Sequence, residues 1–161
     1  TRMNRSLLLL CKIENGQFAD TRSVCLKDIL THYLDDYKEV YAYRNITVTV
    51  TTDSSFCVEM NDSLVSVLVT NLLKNSFVHN IDGGFIYIKI TANTFEISNT
   101  GEKPLDRERI FERFYQGQKK EGSTGLGLAL VDSICKANHL KIDYTYVENR
   151  HIFTISKQNS E

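Results

Sequence analysis

The chain has 161 residues, of which 42% are hydrophobic and 24% charged, and a formal net charge of −1. These are the proportions of an ordinary soluble globular domain large enough to bury its own core, and they exclude bulk electrostatic attraction to nucleic acid or an anionic membrane. No apolar run approaches the roughly 20 residues of a membrane span. The four cysteines, Cys11, Cys25, Cys57 and Cys135, lack the spacing of a zinc cage or a disulfide framework, so reduced thiols are expected.

Thr1 is not a natural start, and the chain reads as a piece of a longer protein. Met3, Leu7, Leu10 and Ile13 recur at helical spacing, so residues 1 to about 15 read as the end of a helix that stops at Glu14-Asn15-Gly16. A domain boundary is expected near residue 20. Leu26 to Tyr43 is a second amphipathic helix. Ile46 to Thr52 and Phe56 to Met60 read as two strands around the turn Asp53-Ser54-Ser55. Asn61 or Asp62 can cap a third helix, which runs to about Val78 and turns Val65, Val69, Leu72, Leu73 and Ser76 toward a sheet.

Past the turn Asp82-Gly83-Gly84, Phe85 to Ala92 and Thr94 to Ser98 form a pair of strands. Residues 101–124 are polar and poor in core residues, a long connection of the kind that usually serves function. Leu126 to Asn138 is a helix opened by glycines. Lys141 to Val147 and His151 to Ser156 close the chain as a hairpin around Glu148-Asn149-Arg150. Strand hairpins separated by helices predict an α+β fold, one mixed sheet with helices on one face.

Chemistry-bearing residues gather between 71 and 128. Asn71 and Asn75 are four apart, hence stacked on one helix face. A carboxamide oxygen is a good ligand for Mg²⁺, although two amides at a solvated helix edge would produce the same pattern. In Gly122-Ser123-Thr124-Gly125-Leu126-Gly127-Leu128 the glycines let backbone approach a ligand, and the helix that follows turns N–H groups and its positive dipole end toward an anion. The turn is neither a Walker loop nor a dinucleotide fingerprint; alone it is equally an ordinary helix entry. Asn99 and Gly101, placed just beyond a strand, could meet a base edge or simply end that strand. Phe111 and Phe114 are at helical spacing, as core residues are. Arg113, Lys119 and Lys120 could meet phosphates or form a solvated face.

In this order the segments NLLKNSFVHN, ISNTG, IFERFY and GSTGLGLALV resemble the asparagine, first-glycine, phenylalanine and second-glycine boxes of sensor histidine kinases, members of the ATPase superfamily shared with gyrase, Hsp90 and MutL. The wording of the motifs resembles kinases of the Bacteroidetes type. MNRSLLLLCKIENGQF is similar to the end of a dimerisation and phosphoacceptor helix and its linker. The resemblance implies a two-layer, Bergerat-type α+β sandwich of about five strands with a mobile ATP lid, divided into residues 1–19 (helix end and linker) and 20–161 (catalytic ATP-binding domain).

It further implies site roles. Asn75 would ligate Mg²⁺, and Asn71 would line the phosphate end of the pocket. Asn99 would face the adenine amino group with Gly101 beneath the base. Thr124, Gly125, Leu126, Gly127 and Leu128 would surround the phosphates, Phe111 and Phe114 would hinge and anchor the lid, and His79 and Arg113 would join the ATP site. ATP and Mg²⁺ are the implied ligand and cofactor. A histidine on an upstream dimerisation domain and a response-regulator receiver domain are the implied partners, and the whole protein is expected to be a homodimer whose catalytic part is cytoplasmic and tethered to a membrane-anchored sensor.

Hydrolytic relatives place a Glu four residues before the metal-binding Asn; Asn71 stands there and has no useful basicity, which points to transfer onto histidine rather than water. His32, His79, His139 and His151 lack the His-Glu/Asp context of a phosphorylated box, so the acceptor is expected upstream, and this chain by itself is expected neither to autophosphorylate nor to dimerise stably. Two positions depart from the family pattern. Asn99 replaces the usual Asp and loses the charge-assisted part of a bond to adenine. Val78 stands where a basic residue is frequent, three positions after Asn75. Both leave open a nucleotide-binding or docking module of the same fold that has lost catalysis.

Overall fold

The computed structural model describes residues 2–115 and 125–158. The elements are α1 (Arg2–Glu14), β1 (Arg22–Cys25), α2 (Leu26–Val40), a 3₁₀ turn (Ala42–Arg44), β2 (Thr47–Thr52), β3 (Cys57–Met60), α3 (Asp62–Val78), β4 (Phe85–Ile90), β5 (Thr94–Thr100), α4 (Gly127–Ala137), β6 (Leu140–Val147) and β7 (Arg150–Lys157). Five strands form one mixed sheet in the order β2-β4-β5-β7-β6, with β2 parallel to β4 and the other pairs antiparallel. This is the expected α+β two-layer sandwich with helices on one face.

Period-2 patterning explains the layering. Ile86, Ile88 and Ile90 of β4, Phe95 and Ile97 of β5, and Phe153 and Ile155 of β7 are buried on the helix-facing side. Their registers match across the sheet, Ile88 opposite Ile97 and Ile97 opposite Phe153. Helix α3 lies over them with Leu64, Val65, Leu68, Val69, Leu72, Leu73, Ser76 and Phe77 all buried. Its start is fixed by Asn61, whose side-chain oxygen accepts from the backbone N–H of Ser63 at 2.9 Å and of Leu64 at 3.4 Å. Helix α4 packs on α3, and α1 packs on α4 through Leu10 and Ile13.

The first pair of strands departs from the hairpin expected around Asp53-Ser54-Ser55. β2 pairs in parallel with β4, and β3 instead pairs with β1 in a separate two-stranded sheet. Two anchors divert the chain. Phe56 is fully buried and its carbonyl accepts from the N–H of Leu26 at 2.9 Å, drawing β3 to the start of α2. Asp53 N–H continues the β2 ladder onto Ile90 O at 2.9 Å.

Reduced thiols throughout are also corrected. Cys25 and Cys57 are directly opposite in the β1/β3 register and form a disulfide. The Leu26–Phe56 bond makes the neighbouring 25/57 pair a non-hydrogen-bonded one, the position at which facing side chains come closest. Cys11 and Cys135 remain free thiols, and burial pushes that of Cys135 up to about 12.

Candidate functional site

Helix α3 and its C-cap present Asn71, Asn75 and His79 in a row at four-residue spacing, all half-buried, with Leu72, Leu73, Ser76 and Phe77 fully buried between them. At a rise of 1.5 Å per residue the row runs about 12 Å along the helix. At the Asn71 end it meets the start of α4. The Asn71 Nδ2 donates to Val67 O at 2.8 Å, and its Oδ1 lies 3.0 Å from where Gly127 would carry a Cβ. Among the described residues no side chain caps α4, whose N-cap is the buried Leu126, and its first turn, whose N–H groups lack intrahelical acceptors, lies beside Asn71, the arrangement of an anion site. Leu128 is half-buried in the same turn.

Gly125 has φ +77°, and a Cβ there would stand 2.7 Å from the Cα of Phe114. Phe114 N–H donates to Gly125 O at 2.8 Å, and Phe114 itself has φ +65°. The two ends of the connection are thereby clamped together just before the start of α4. Phe111 packs inward, its ring centroid 6.5 Å from that of Phe153. Thr124, Lys119 and Lys120 lie outside the described residues.

At the other end of the row, His79 closes α3, its N–H donating to Asn75 O at 3.0 Å. Asn99 lies within β5 rather than beyond it, a correction to the expected turn, and is fully buried. The cause is pairing: Asn99 is opposite both Ile86 and His151 in the sheet. Its Nδ2 donates to His79 O at 3.3 Å and Thr100 O at 3.0 Å. With both hydrogens taken by carbonyls, what Asn99 has left for a ligand is the acceptor Oδ1. Gly101 does lie just past the strand. Its N–H donates to Asn149 O at 2.9 Å, its carbonyl accepts from the Tyr146 hydroxyl at 2.9 Å, and a Cβ on it would overlap His151 Nε2.

A cavity of about 220 Å³ opens here, lined by His79, Asn80, Ile81, Gly101, His151 and Arg44 among others. Three of these escape sequence reasoning. Arg44 bonds the carbonyls of Phe77, Val78 and Asn80 and closes the carboxyl end of α3. Asn80 is buried with its amide satisfied by Ser76 O, Phe85 O and Ile81 N–H. His151 is buried, and burial holds its imidazole below the usual histidine range. Only the adjacency of Asn80 to His79 in the chain was a signal; the other two are brought in by strand pairing and by the 3₁₀ turn.

The structure does not bring Arg113 to this row. Its guanidinium is bonded to Glu14 at the end of α1 at 2.5 Å, and that bond raises the arginine's pKa further. The Asn75 carboxamide makes no hydrogen bond among the described residues. Among those residues there is also no cluster of three or more His, Cys, Asp or Glu able to hold a metal ion, and no helix long and apolar enough to cross a membrane.

Comparison with known proteins adds the following. Residues 60–159 match the family described as histidine kinase-, DNA gyrase B-, and HSP90-like ATPase. The heme sensor protein HssS of Staphylococcus aureus is 33% identical over 172 residues, a match that covers 98% of this chain and 36% of the relative, so the chain spans about a third of that protein. The Acinetobacter baumannii histidine kinase AdeS superposes with a TM-score of 0.76 at 20% identity over 97% of this chain and 77% of its own. Histidine kinase ThkA, solved in complex with the response regulator protein TrrA, superposes with a TM-score of 0.70 at 20% identity over 96% of this chain and 47% of its own. At such identities the superpositions show a shared fold.

Proposed function

The chain belongs to the family of histidine kinase-, DNA gyrase B- and HSP90-like ATPases, and from that premise we propose that it binds ATP with Mg²⁺ and passes the γ-phosphoryl group to a histidine on an upstream dimerisation domain, for relay to a response-regulator aspartate. The observation that carries this reading is the row Asn71–Asn75–His79, met by the N-terminus of α4 at one end and by Asn99 and Gly101 at the other. A triphosphate at the first end and a purine at the second would match the polar groups of this row and its two ends.

The residues fit the cofactor. Asn75 offers a carboxamide oxygen that no neighbour uses among the described residues, and Mg²⁺ characteristically takes one or two protein oxygens together with phosphate oxygens and water. When bound, Mg²⁺ neutralises charge on the phosphates. The chain's own share is positioning: the first-turn N–H groups of α4 hold the phosphates, Asn71 orients beside Gly127, and the Phe114–Gly125 clamp excludes water from the mouth. Asn71 has no basicity with which to activate water, so transfer to an imidazole is favoured over hydrolysis.

In this reading residues 1–19 are the end of the phosphoacceptor helix and its linker, and 20–161 the catalytic domain of a homodimeric, membrane-anchored sensor that works on the cytoplasmic side. Two substitutions favour a second reading, a nucleotide-binding or docking module with weakened catalysis: Asn99 for a carboxylate, and Val78 for a basic residue. Incubating the full-length protein with ATP and assaying acid-labile phosphohistidine separates the two. The first reading predicts label on a histidine outside residues 1–161 and none on the present chain by itself. Nucleotide binding without any phosphohistidine would support the second.

A further inference from the structure

Asn99 and His151 are directly opposed on β5 and β7, so their side chains leave the same face about 5 Å apart. His151 abuts Gly101 and lines the cavity at the His79 end of the row. Asn99 has spent its donors and keeps an acceptor. His151 stands at the end of a chain of hydrogen bonds. The Leu105 N–H donates to the Tyr144 hydroxyl at 3.0 Å, and that hydroxyl, whose own hydrogen is free to point at the ring, lies 2.7 Å from the His151 Nδ1. An imidazole that accepts at Nδ1 carries its hydrogen on Nε2. The His151 Nε2 makes no hydrogen bond among the described residues.

We infer that His151 is a base-reading residue of the nucleotide site: its Nε2–H donates to N1 of adenine, beside the acceptor that Asn99 offers to the exocyclic amine. The inference rests on the proposed function. Adenine presents a donor and an acceptor side by side on its Watson–Crick edge, whereas guanine presents them in the opposite order at the same two places. An acceptor–donor pair on adjacent strands therefore selects adenine and opposes guanine. Gly101 is required for the arrangement, because any side chain there would displace the imidazole. The directional pairing also offsets what the site loses by having a neutral amide at Asn99 in place of a carboxylate. Burial agrees with a neutral ring, since it holds the imidazole below its usual range and keeps the Tyr144 phenol protonated.

The test is titration of the 161-residue chain with ATP and with GTP, in Mg²⁺, for wild type, His151→Phe, Tyr144→Phe and Asn75→Ala, with thermal unfolding as the check on folding. Phe at 151 keeps an aromatic ring and removes the donor; ATP is expected to bind about tenfold more weakly, with GTP unchanged or tighter, so the preference for ATP collapses. Tyr144→Phe releases the tautomer and is expected to lower the ATP:GTP ratio about threefold, and it decides the matter if His151→Phe does not fold. Equal weakening of both nucleotides by both variants, or no change in the ratio, overturns the inference while leaving the proposed function standing. Asn75→Ala is expected to weaken ATP and GTP alike. Absence of ATP binding by the wild type, or no effect of Asn75→Ala, contradicts the proposed function whatever His151 does.

Discussion

Asn71 Oδ1 stands 3.0 Å from the point where Gly127 would carry a Cβ, so the middle of α3 and the start of α4 close on each other with no room to spare. Gly127→Ala is expected to push the Asn71 amide aside and weaken ATP-analogue binding several-fold. The same change in an Asn71→Ala background should cost much less. A double-mutant cycle reading a coupling of about 1 kcal/mol in binding would establish the contact; additivity would refute it.

Arg44 and Asp82 separate two kinds of contribution. The guanidinium is largely buried against the last carbonyls of α3, whereas its ion-pair partner Asp82 is 81% exposed. Arg44→Met removes the side-chain donor from the Val78 and Asn80 carbonyls, while Phe77 O keeps the Asn80 N–H at 3.4 Å, and is expected to cost about 2–3 kcal/mol of unfolding free energy. Asp82→Ala is expected to cost less than about 0.5 kcal/mol, as exposed pairs do. Chemical denaturation of both variants checks the ranking.

The disulfide between Cys25 and Cys57 joins residues 32 apart in sequence. Closing a loop of that size restricts the unfolded chain, and its removal by reduction or by Cys25→Ser with Cys57→Ser is expected to cost about 3–4 kcal/mol. Cys135→Ser removes a buried thiol outside that link and should not alter the response to reductant. Identical melting with and without reductant would show that the pair contributes nothing.

His151 gives stability a pH dependence of definite sign. Burial lowers its pKa in the folded chain, while in the unfolded chain an imidazole titrates near 6.5. Below about 6.5 the unfolded state therefore takes up more protons than the native one, and stability falls with falling pH until the lower native value is reached. Around the ring stand Tyr144 and Tyr146 of β6, and Arg44, His79 and Glu102 about the same cavity. The acid-side loss should be smaller in His151→Phe when unfolding free energies are compared between about pH 7 and pH 5.

Local patterns carried most of the fold into view. The Asn61 cap and the 62–78 helix, the 85–100 strand pair and the closing hairpin around Glu148 and Asn149 all follow from short-range signals. What stayed hidden is non-local. Arg22–Cys25 is too short to show alternation, so β1 was missed; without it β3 had no visible partner, and Cys25 and Cys57 had no reason to meet. The parallel pairing of β2 with β4 spans an entire crossover and leaves no signature in the residues between. In the site, the α3 row and the glycine turn were readable because their spacing is itself the geometry. Arg44, Tyr144 and His151 were not, since only the sheet register and the 3₁₀ turn bring them to the cavity. Arg113 reads as a phosphate contact from its neighbours in sequence, but Glu14, 99 residues away in the chain, holds it elsewhere.

The most direct test of the whole account is titration of this chain with a fluorescent ATP analogue, with and without Mg²⁺, in wild type and Asn75→Ala. Wild type is predicted to bind saturably and tighter with Mg²⁺, and Asn75→Ala to lose that gain while still unfolding cooperatively. Binding that ignores both the cation and Asn75, or no binding at all, would contradict the assignment of the α3 row as a nucleotide site.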